Sequence, residues 1–462
     1  MSSSERPAAY HFVGIGGSGM SALAFYHAAL GGRVSGSDRS FDRGDNIDLR
    51  AALSAAGIAI LPQDGSGAAA GCDEVIVSTA VETDNPDVRA ARERGVPLLH
   101  RSELLARFVA ERRTIAVTGT SGKSTVVAMT FAALRGAGLQ PSVITGGALV
   151  ELEERGVPGN AWADPRGDLL VVEADESDGS LVRYAPWCGV VLNLQRDHKE
   201  TAEVAAMFRT FRGRTAGPLI CGEEANLDEL RPDARFGFGP RADVRAEAVE
   251  LRPDGSRFRV GGTPFELPTP GRHDVLNALA ATAAATAAGA SLPEVAAALQ
   301  DFRGVARRFR VLGAARGVTV VDDFAHNPDK LRAALSAGRL RGGRILAVFQ
   351  PHGFGPTRFL RDDLVAAFAD ALAPADVLWL PEIFFAGGTV TRDISSADLA
   401  RGVSAAGRDA RFVADRTDLP ALIAAEARAG DLVLVMGARD PSLTGLARDV
   451  LAAVAAAPGG PR

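Results

Sequence analysis

Lysine is nearly absent from this chain: of its 51 basic residues only Lys123, Lys199 and Lys330 are lysines, and the rest are arginines. A basic excess is absent too, because 56 acidic residues leave a formal charge of −5. A general binder of phosphate backbones carries the opposite balance, so nucleic acid is excluded as the main partner. Cysteine is scarce. Cys72, Cys188 and Cys221 are odd in number and lack metal-ligand spacing, which excludes a disulfide scaffold and fits a reducing compartment. All three read as small buried apolar residues. No apolar run approaches the ~18 residues of a membrane span, and the first residues contain no apolar leader core. The expectation is a cytoplasmic protein with no membrane partner.

What is present is length and a repeating pattern. At a usual domain size of roughly 100–200 residues, 462 residues correspond to about three domains. Short β-type runs alternate with Ala/Leu-rich segments of helical period, the pattern of parallel sheets covered by helices. The clearest predicted strands are 10–14, 75–78, 114–118, 169–173, 190–194, 318–321, 345–349, 377–380 and 432–436, and the Ala-rich stretch 278–290 reads as a buried helix. An Arg/Glu-rich helical stretch at 101–113 and the run Phe302–Arg310 each precede a fresh strand. They place boundaries near 108 and 306, giving domains 1–107, 108–306 and 307–462.

Two glycine loops carry the chemistry. Gly14-Ile-Gly16-Gly17-Ser18-Gly19 lies between a strand and a helix, with Asp38 about twenty residues on. Glycines there let backbone approach a pyrophosphate at a helix N-terminus, and the acid can take a ribose hydroxyl. Alone, this loop fits an NAD enzyme, another diphosphate nucleotide, or a tight turn without ligand. The second loop is Thr118-Gly119-Thr120-Ser121-Gly122-Lys123-Ser124-Thr125. Its backbone N–H groups can cradle phosphates, Lys123 can reach the β/γ oxygens and Ser124 can hold Mg²⁺. The spacing is shorter than G-x-x-x-x-G-K-[ST], since position 117 is Val. A second nucleotide loop weakens the dehydrogenase reading, because hydride transfer needs no ATP.

Taken in order, the segment Tyr10–Ala22, Val34–Asp38, Ile76–Pro86, the loop 118–125, Glu173-Ala-Asp-Glu-Ser-Asp178 and Asp322-Asp-Phe-Ala-His-Asn-Pro328 resemble the Mur ligases. The resemblance runs over nearly the whole chain. It implies an α/β protein of three domains: an N-terminal Rossmann-like UDP-binding domain, a central P-loop-type ATPase domain with a mostly parallel sheet, and a C-terminal Rossmann-like domain that closes over both and brings the amino acid. It implies an ATP- and Mg²⁺-dependent ligase joining an L-amino acid, most simply L-alanine, to UDP-N-acetylmuramate. The UDP-sugar site would fall on Gly14, Gly16, Gly17, Ser18, Gly19, Met20, Ser37, Asp38, Ser78, Thr79 and Asn85. ATP would meet Gly119, Thr120, Ser121, Gly122, Lys123, Ser124 and Thr125, with Asn277 at the base, Arg308 at the phosphates and Asp323 at the ribose. Ser124 would hold one Mg²⁺, and Glu173 with His198 a second. Lys123, Glu173, His198 and His326 are the implied catalytic residues. The carbamylated lysine of some family members lies well downstream of the histidine, and no central-domain lysine follows Lys199, so that device is not expected.

The departures cluster in the amino-acid segment. Alanine-adding members usually read Gln-Pro-His-Arg-Tyr-Thr-Arg-Thr-Arg, whereas this chain has Gln350-Pro-His-Gly353-Phe354-Gly355-Pro356-Thr-Arg358. Neither Gly353 nor Pro356 can replace a guanidinium fork on a carboxylate. Asp274 stands for the usual Asn, Phe324 for Tyr, Asn327 for a second His and Ser121 for His. The acceptor is therefore left open between an amino acid and a preformed peptide in a recycling ligase. An NAD-dependent oxidoreductase and a non-enzymatic nucleotide-binding regulator are the readings from other classes.

Overall fold

Val, Ile and Leu dominate the strand sequences because these strands are covered on both faces, as parallel sheets require. The computed structural model describes residues 7–69, 71–195, 199–385 and 391–457. They form two compact units. The first comprises Met1–Glu247, Arg259–Phe265 and Leu276–Val305, and the second Ala248–Phe258, Glu266–Val275 and Ala306–Arg462.

The first unit contains two sheets. In one, the strands run in the order Ala59–Ile60, Arg33–Ser37, Ala9–Val13, Glu74–Val77, Leu98–His100, all parallel. Ala9–Val13 is central, and the chain leaves it at the point where strand order reverses, the place where such sheets receive ligands. In the other, the order is Val244–Arg245, Ala234–Gly237, Leu219–Gly222, Cys188–Val191, Arg113–Thr118, Leu169–Glu173, Ser142–Ile144, Ala161–Trp162, with only the last antiparallel among the described pairs. Arg113–Thr118 is flanked on both sides by parallel partners, so three neighbouring strands end side by side. That adjacency brings together residues about 50 and 70 positions apart in sequence. The strand expected at 190–194 lies at Cys188–Val191, which frees 192–195 as a loop. The last ladder contact is Leu192 N–H to Thr118 O at 2.9 Å, after which the chain turns to the phosphate loop.

The second unit holds a six-stranded sheet in the order Arg310–Ala315, Val318–Asp323, Leu432–Gly437, Ile345–Gln350, Val377–Pro381, Asp409–Val413, antiparallel only at its first pair. Strands Glu247–Arg252, Gly255–Val260 and Thr263–Leu267 form a small separate sheet. The expected Ala-rich helix spans Arg272–Ala287, with Ala278–Ala281 fully buried. Cys188 and Cys221 are buried as expected, whereas Cys72 is only partly so, because it lies in the irregular segment before Glu74–Val77 rather than in a strand. Among the described residues no helix is long and apolar enough to cross a membrane.

Candidate active site

The phosphate loop joins Arg113–Thr118 to the helix Lys123–Gly136, whose first turn has no side-chain cap. An uncapped helix start leaves N–H groups and the positive end of the helix dipole available to an anion. Gly122, at φ +90°, is required here. A Cβ at that position would lie 2.6 Å from Asn277 Oδ1, so the loop and Asn277 are packed as closely as glycine permits. Two side-chain oxygens near the loop, Thr118 Oγ1 and Ser121 Oγ, are buried without a hydrogen-bond partner. Such groups are costly unless something polar joins them.

Lys123 bends back over the loop. Its Nζ donates to Gly119 O at 2.9 Å and to Glu176 at 2.6 Å, and lies 3.5 Å from Asp175. Burial works against the lysine's charge, but Glu176, Asp175 and Glu173 outweigh it and hold its pKa above the ordinary value. Burial pushes the Glu176 carboxyl above the usual range despite Lys123, while at Asp175 burial also pushes upward but Lys123 and the Ser177 N–H and hydroxyl together carry it below that range. Glu173 ends the neighbouring strand. Its Oε2 accepts from Ser124 Oγ at 2.8 Å, Thr145 Oγ1 at 3.1 Å and Gly146 N–H at 2.9 Å. On the other side, Asn193 grips the loop through Ser121, its Oδ1 accepting the N–H at 2.9 Å and its Nδ2 donating to the carbonyl at 3.0 Å. Thr120 Oγ1 exchanges bonds with the Gln195 backbone at 3.2 and 3.0 Å.

The Gly14–Gly19 loop is built around Asp38. Oδ2 accepts the Gly16 N–H at 2.9 Å, and Oδ1 accepts the Ser40 N–H and hydroxyl at 2.8 and 2.7 Å. A Cβ at Gly16 would meet Asp38 Oδ2 at 2.8 Å, which explains the glycine. Asp38 thus fixes the loop in shape. Ser37 donates to the buried Asp87 at 2.5 Å, and Asn85 accepts the Asp87 N–H at 3.0 Å. Met20 is buried, Gly17 and Ser18 are exposed, and Ser78 and Thr79 follow the end of Glu74–Val77. Asn160 Nδ2 holds Ser18 O at 2.5 Å, and Arg101 bridges the Gly19 side of the loop to Asp178 at 2.7 Å.

In the second unit, the guanidinium groups of Arg307 and Arg308 lie over Phe324, at 5.0 and 4.7 Å. Arg307 also donates to Gly437 O at 2.7 Å. Asp323 accepts backbone N–H groups of Phe309 at 2.7 Å and Ala325 at 2.6 Å, and burial raises its pKa. His326 Nδ1 contacts Phe324 O at 2.8 Å, and since a carbonyl only accepts, that nitrogen carries the proton. Its Nε2 faces Lys330 Nζ at 3.4 Å.

Residues 9–113 match the Mur ligase family, catalytic domain, and residues 307–439 match the Mur ligase, glutamate ligase domain. A UDP-N-acetylmuramate--L-alanine ligase of Burkholderia ambifaria is 38% identical over 459 residues, spanning 93% of this chain and 94% of its own. The chain belongs to the Mur ligase family. Another enzyme of that name, from Gloeobacter violaceus, is 37% identical over 93% of this chain and 92% of its own. Among solved structures, a UDP-N-acetylmuramate-alanine ligase from Thermotoga maritima superposes with a TM-score of 0.77 at 28% identity, over 96% of this chain and 98% of its own. A murein peptide ligase from Psychrobacter arcticus shares the fold, with a TM-score of 0.66 at 22% identity over 98% of this chain and all of its own. Mur ligases are ATP-dependent enzymes that form C–N bonds.

In this Mur ligase the structure brings Gly119–Thr125, Glu173 and Asn277 together in the first unit, and Arg308, Asp323 and His326 together in the second. His198 lies outside the described residues. Ser124 and Glu173 are hard oxygen donors of the kind Mg²⁺ takes, and Glu173 Oε1 carries no hydrogen bond among the described residues, so the pair fits that ion. Sequence reasoning assigned no role to Asn193, Glu176 or Thr145. Asn193 and Glu176 stood inside quoted motifs, but only strand adjacency reveals what they touch. Lys199 pairs with Glu203 at 2.7 Å on an exposed helix turn, and Lys330 donates its backbone N–H to the Asn327 cap at 3.0 Å.

Proposed function

We propose that this Mur ligase joins an L-amino acid, most simply L-alanine, to the lactyl carboxylate of UDP-N-acetylmuramate, in cytoplasmic synthesis of peptidoglycan precursors. The observation that carries the proposal is the presence, in one compact unit, of a diphosphate-type glycine loop and a lysine-bearing phosphate loop backed by carboxylates. A carboxylate is a poor acyl donor, so one of its oxygens first attacks the γ-phosphorus of ATP and ADP leaves. The amine then attacks the acyl carbon, phosphate departs and the amine loses a proton. The protein contributes position and charge. Lys123, held protonated by its acidic neighbours, supplies positive charge at the transferring phosphate. Mg²⁺, when held by Ser124 and Glu173, neutralises phosphate charge, and the family pattern adds His198. Gly14–Gly19 holds the UDP diphosphate, with Asp38 keeping the loop in shape. Asn277, Arg308, Asp323 and His326 belong to the same proposal, as does the division into domains 1–107, 108–306 and 307–462.

The test is ADP release over a panel of amino acids with UDP-N-acetylmuramate present. Release that requires both co-substrates supports the proposal. No release across the whole panel overturns it for that acceptor. Because arginines are absent at 353 and 356, a muramyl-type tripeptide belongs in the same panel. Preference for the tripeptide over alanine would indicate a recycling ligase.

A further inference from the structure

The segment where the family's arginines would grip an incoming carboxylate has Gly353 and Pro356, and the guanidinium that remains there is compensated. Arg358 pairs with Asp393 and donates to Thr391 O at 3.0 Å. Next to it stands Arg392, which forms no ion pair with any described residue. Its guanidinium carbon lies 4.5 Å over the Phe385 ring and 5.7 Å from that of Phe354. The two rings pack at 5.6 Å on a buried apolar base of Ile383 and Ile394. Backbone bonds between Gly353 and Phe384, at 2.9 Å, and between Phe384 and Pro351, at 2.8 Å, tie this base to the Gln350–Arg358 segment.

We propose that Arg392 is the carboxylate-reading residue for the incoming amino acid, replacing the arginines missing at 353 and 356. A ring holds a guanidinium by its face, and the N–H groups that bind a carboxylate point outward in its plane. Phe385 and Phe354 can therefore orient Arg392 without consuming its donors, which is the preorganisation a bidentate grip needs. The apolar base beside it suits a small aliphatic side chain. The inference rests on the ligase reading above, and on the second unit alone.

The test compares alanine with alaninamide, which lacks the carboxylate charge, in the ADP-release assay. The wild type should prefer alanine. Arg392→Ala should raise KM for alanine by about 10–100-fold, the weight of a hydrogen bond to a charged group, with KM for ATP and UDP-N-acetylmuramate little changed. Its preference for alanine over alaninamide should collapse to near unity. Arg392→Lys keeps the charge but not the fork, and should retain part of that preference. A thermal midpoint equal to wild type confirms that an exposed position was altered without loss of fold. Unchanged preference in Arg392→Ala overturns the assignment, as does a wild type indifferent to the amide. A wild type that releases no ADP with any acceptor overturns the ligase reading as well.

Discussion

Asn193→Ala should weaken ATP use while leaving UDP-sugar binding intact. The Asn193 amide is the side chain that holds Ser121 on both its backbone N–H and its carbonyl, at 2.9 and 3.0 Å. Each such bond contributes roughly 1 kcal/mol net, so removing the pair costs about 2 kcal/mol in holding the loop in its binding shape. At 1.4 kcal/mol per decade, that corresponds to about a 30-fold fall in kcat/KM for ATP. Asn193→Asp should be no better than alanine: it keeps an acceptor for the N–H but sets an oxygen against the Ser121 carbonyl. Steady-state ADP release at varied ATP gives the first number, and equilibrium binding of UDP-N-acetylmuramate gives the control, because the Gly14–Gly19 loop is held by Asp38 instead. A fall in kcat/KM of less than about threefold in a folded variant, below roughly 0.7 kcal/mol, would refute the clamp.

Lys123→Ala should abolish ATP turnover and keep UDP-sugar binding, but it should also strip a buried carboxylate of its partner. Lys123 is 12% exposed at its side chain and Glu176 6%, so breaking the pair should cost about 3–5 kcal/mol at neutral pH. Burial already holds the Glu176 pKa above its unfolded value, and removing Lys123 raises it further. A raised carboxylate penalises the fold where it must ionise, so the deficit should shrink as pH falls from about 7 to 5. Adding Glu176→Gln should restore the melting temperature without restoring turnover; a deficit independent of pH would contradict this account. Asp87 has the opposite sign. Burial pushes its pKa up, but His11, Ser37 and the Gly65 N–H together carry it below the ordinary value. Its stabilisation is present above the unfolded pKa of about 3.9 and is lost as pH falls through the folded value. Asp87→Asn should therefore flatten the acid limb of a melting-temperature profile below about pH 4, and an unchanged slope would show that the charge is not what matters.

Strands were legible because parallel sheets write themselves as uninterrupted apolar runs: Ile345–Gln350 and Leu432–Gly437 each extend the expected run by one residue. The run at 190–194 misled for a physical reason. Leu192 and Leu194 continue the apolar pattern of the strand, yet Asn193 and Gln195 are drawn into the phosphate loop, so pairing ends at Val191. Tertiary hydrogen bonds overrode local pattern. The buried-cysteine reading failed at Cys72 on the same footing, since a residue beside a strand in sequence need not share its cover.

The residues of the site divide by the kind of information that locates them. Gly122, Lys123 and Ser124 are fixed by a backbone shape that a short local motif can specify, so sequence alone places them on the loop between strand and helix. Asn193 and Glu176 act only because Cys188–Val191 and Leu169–Glu173 both flank Arg113–Thr118, and strand order is not written in any one strand. Arg392 belongs to a third kind. Nothing in its own neighbourhood in sequence marks it, and it becomes visible only once Arg358 is found compensated by Asp393 and Gly353 and Pro356 offer no charge. Loss of a motif residue therefore locates function as well as its presence does, because the chemistry of holding a carboxylate still demands a guanidinium or an equivalent nearby. Where one side chain can stand in for another from an adjacent loop, the motif alone does not name the replacement, and only packing shows which guanidinium has donors to spare.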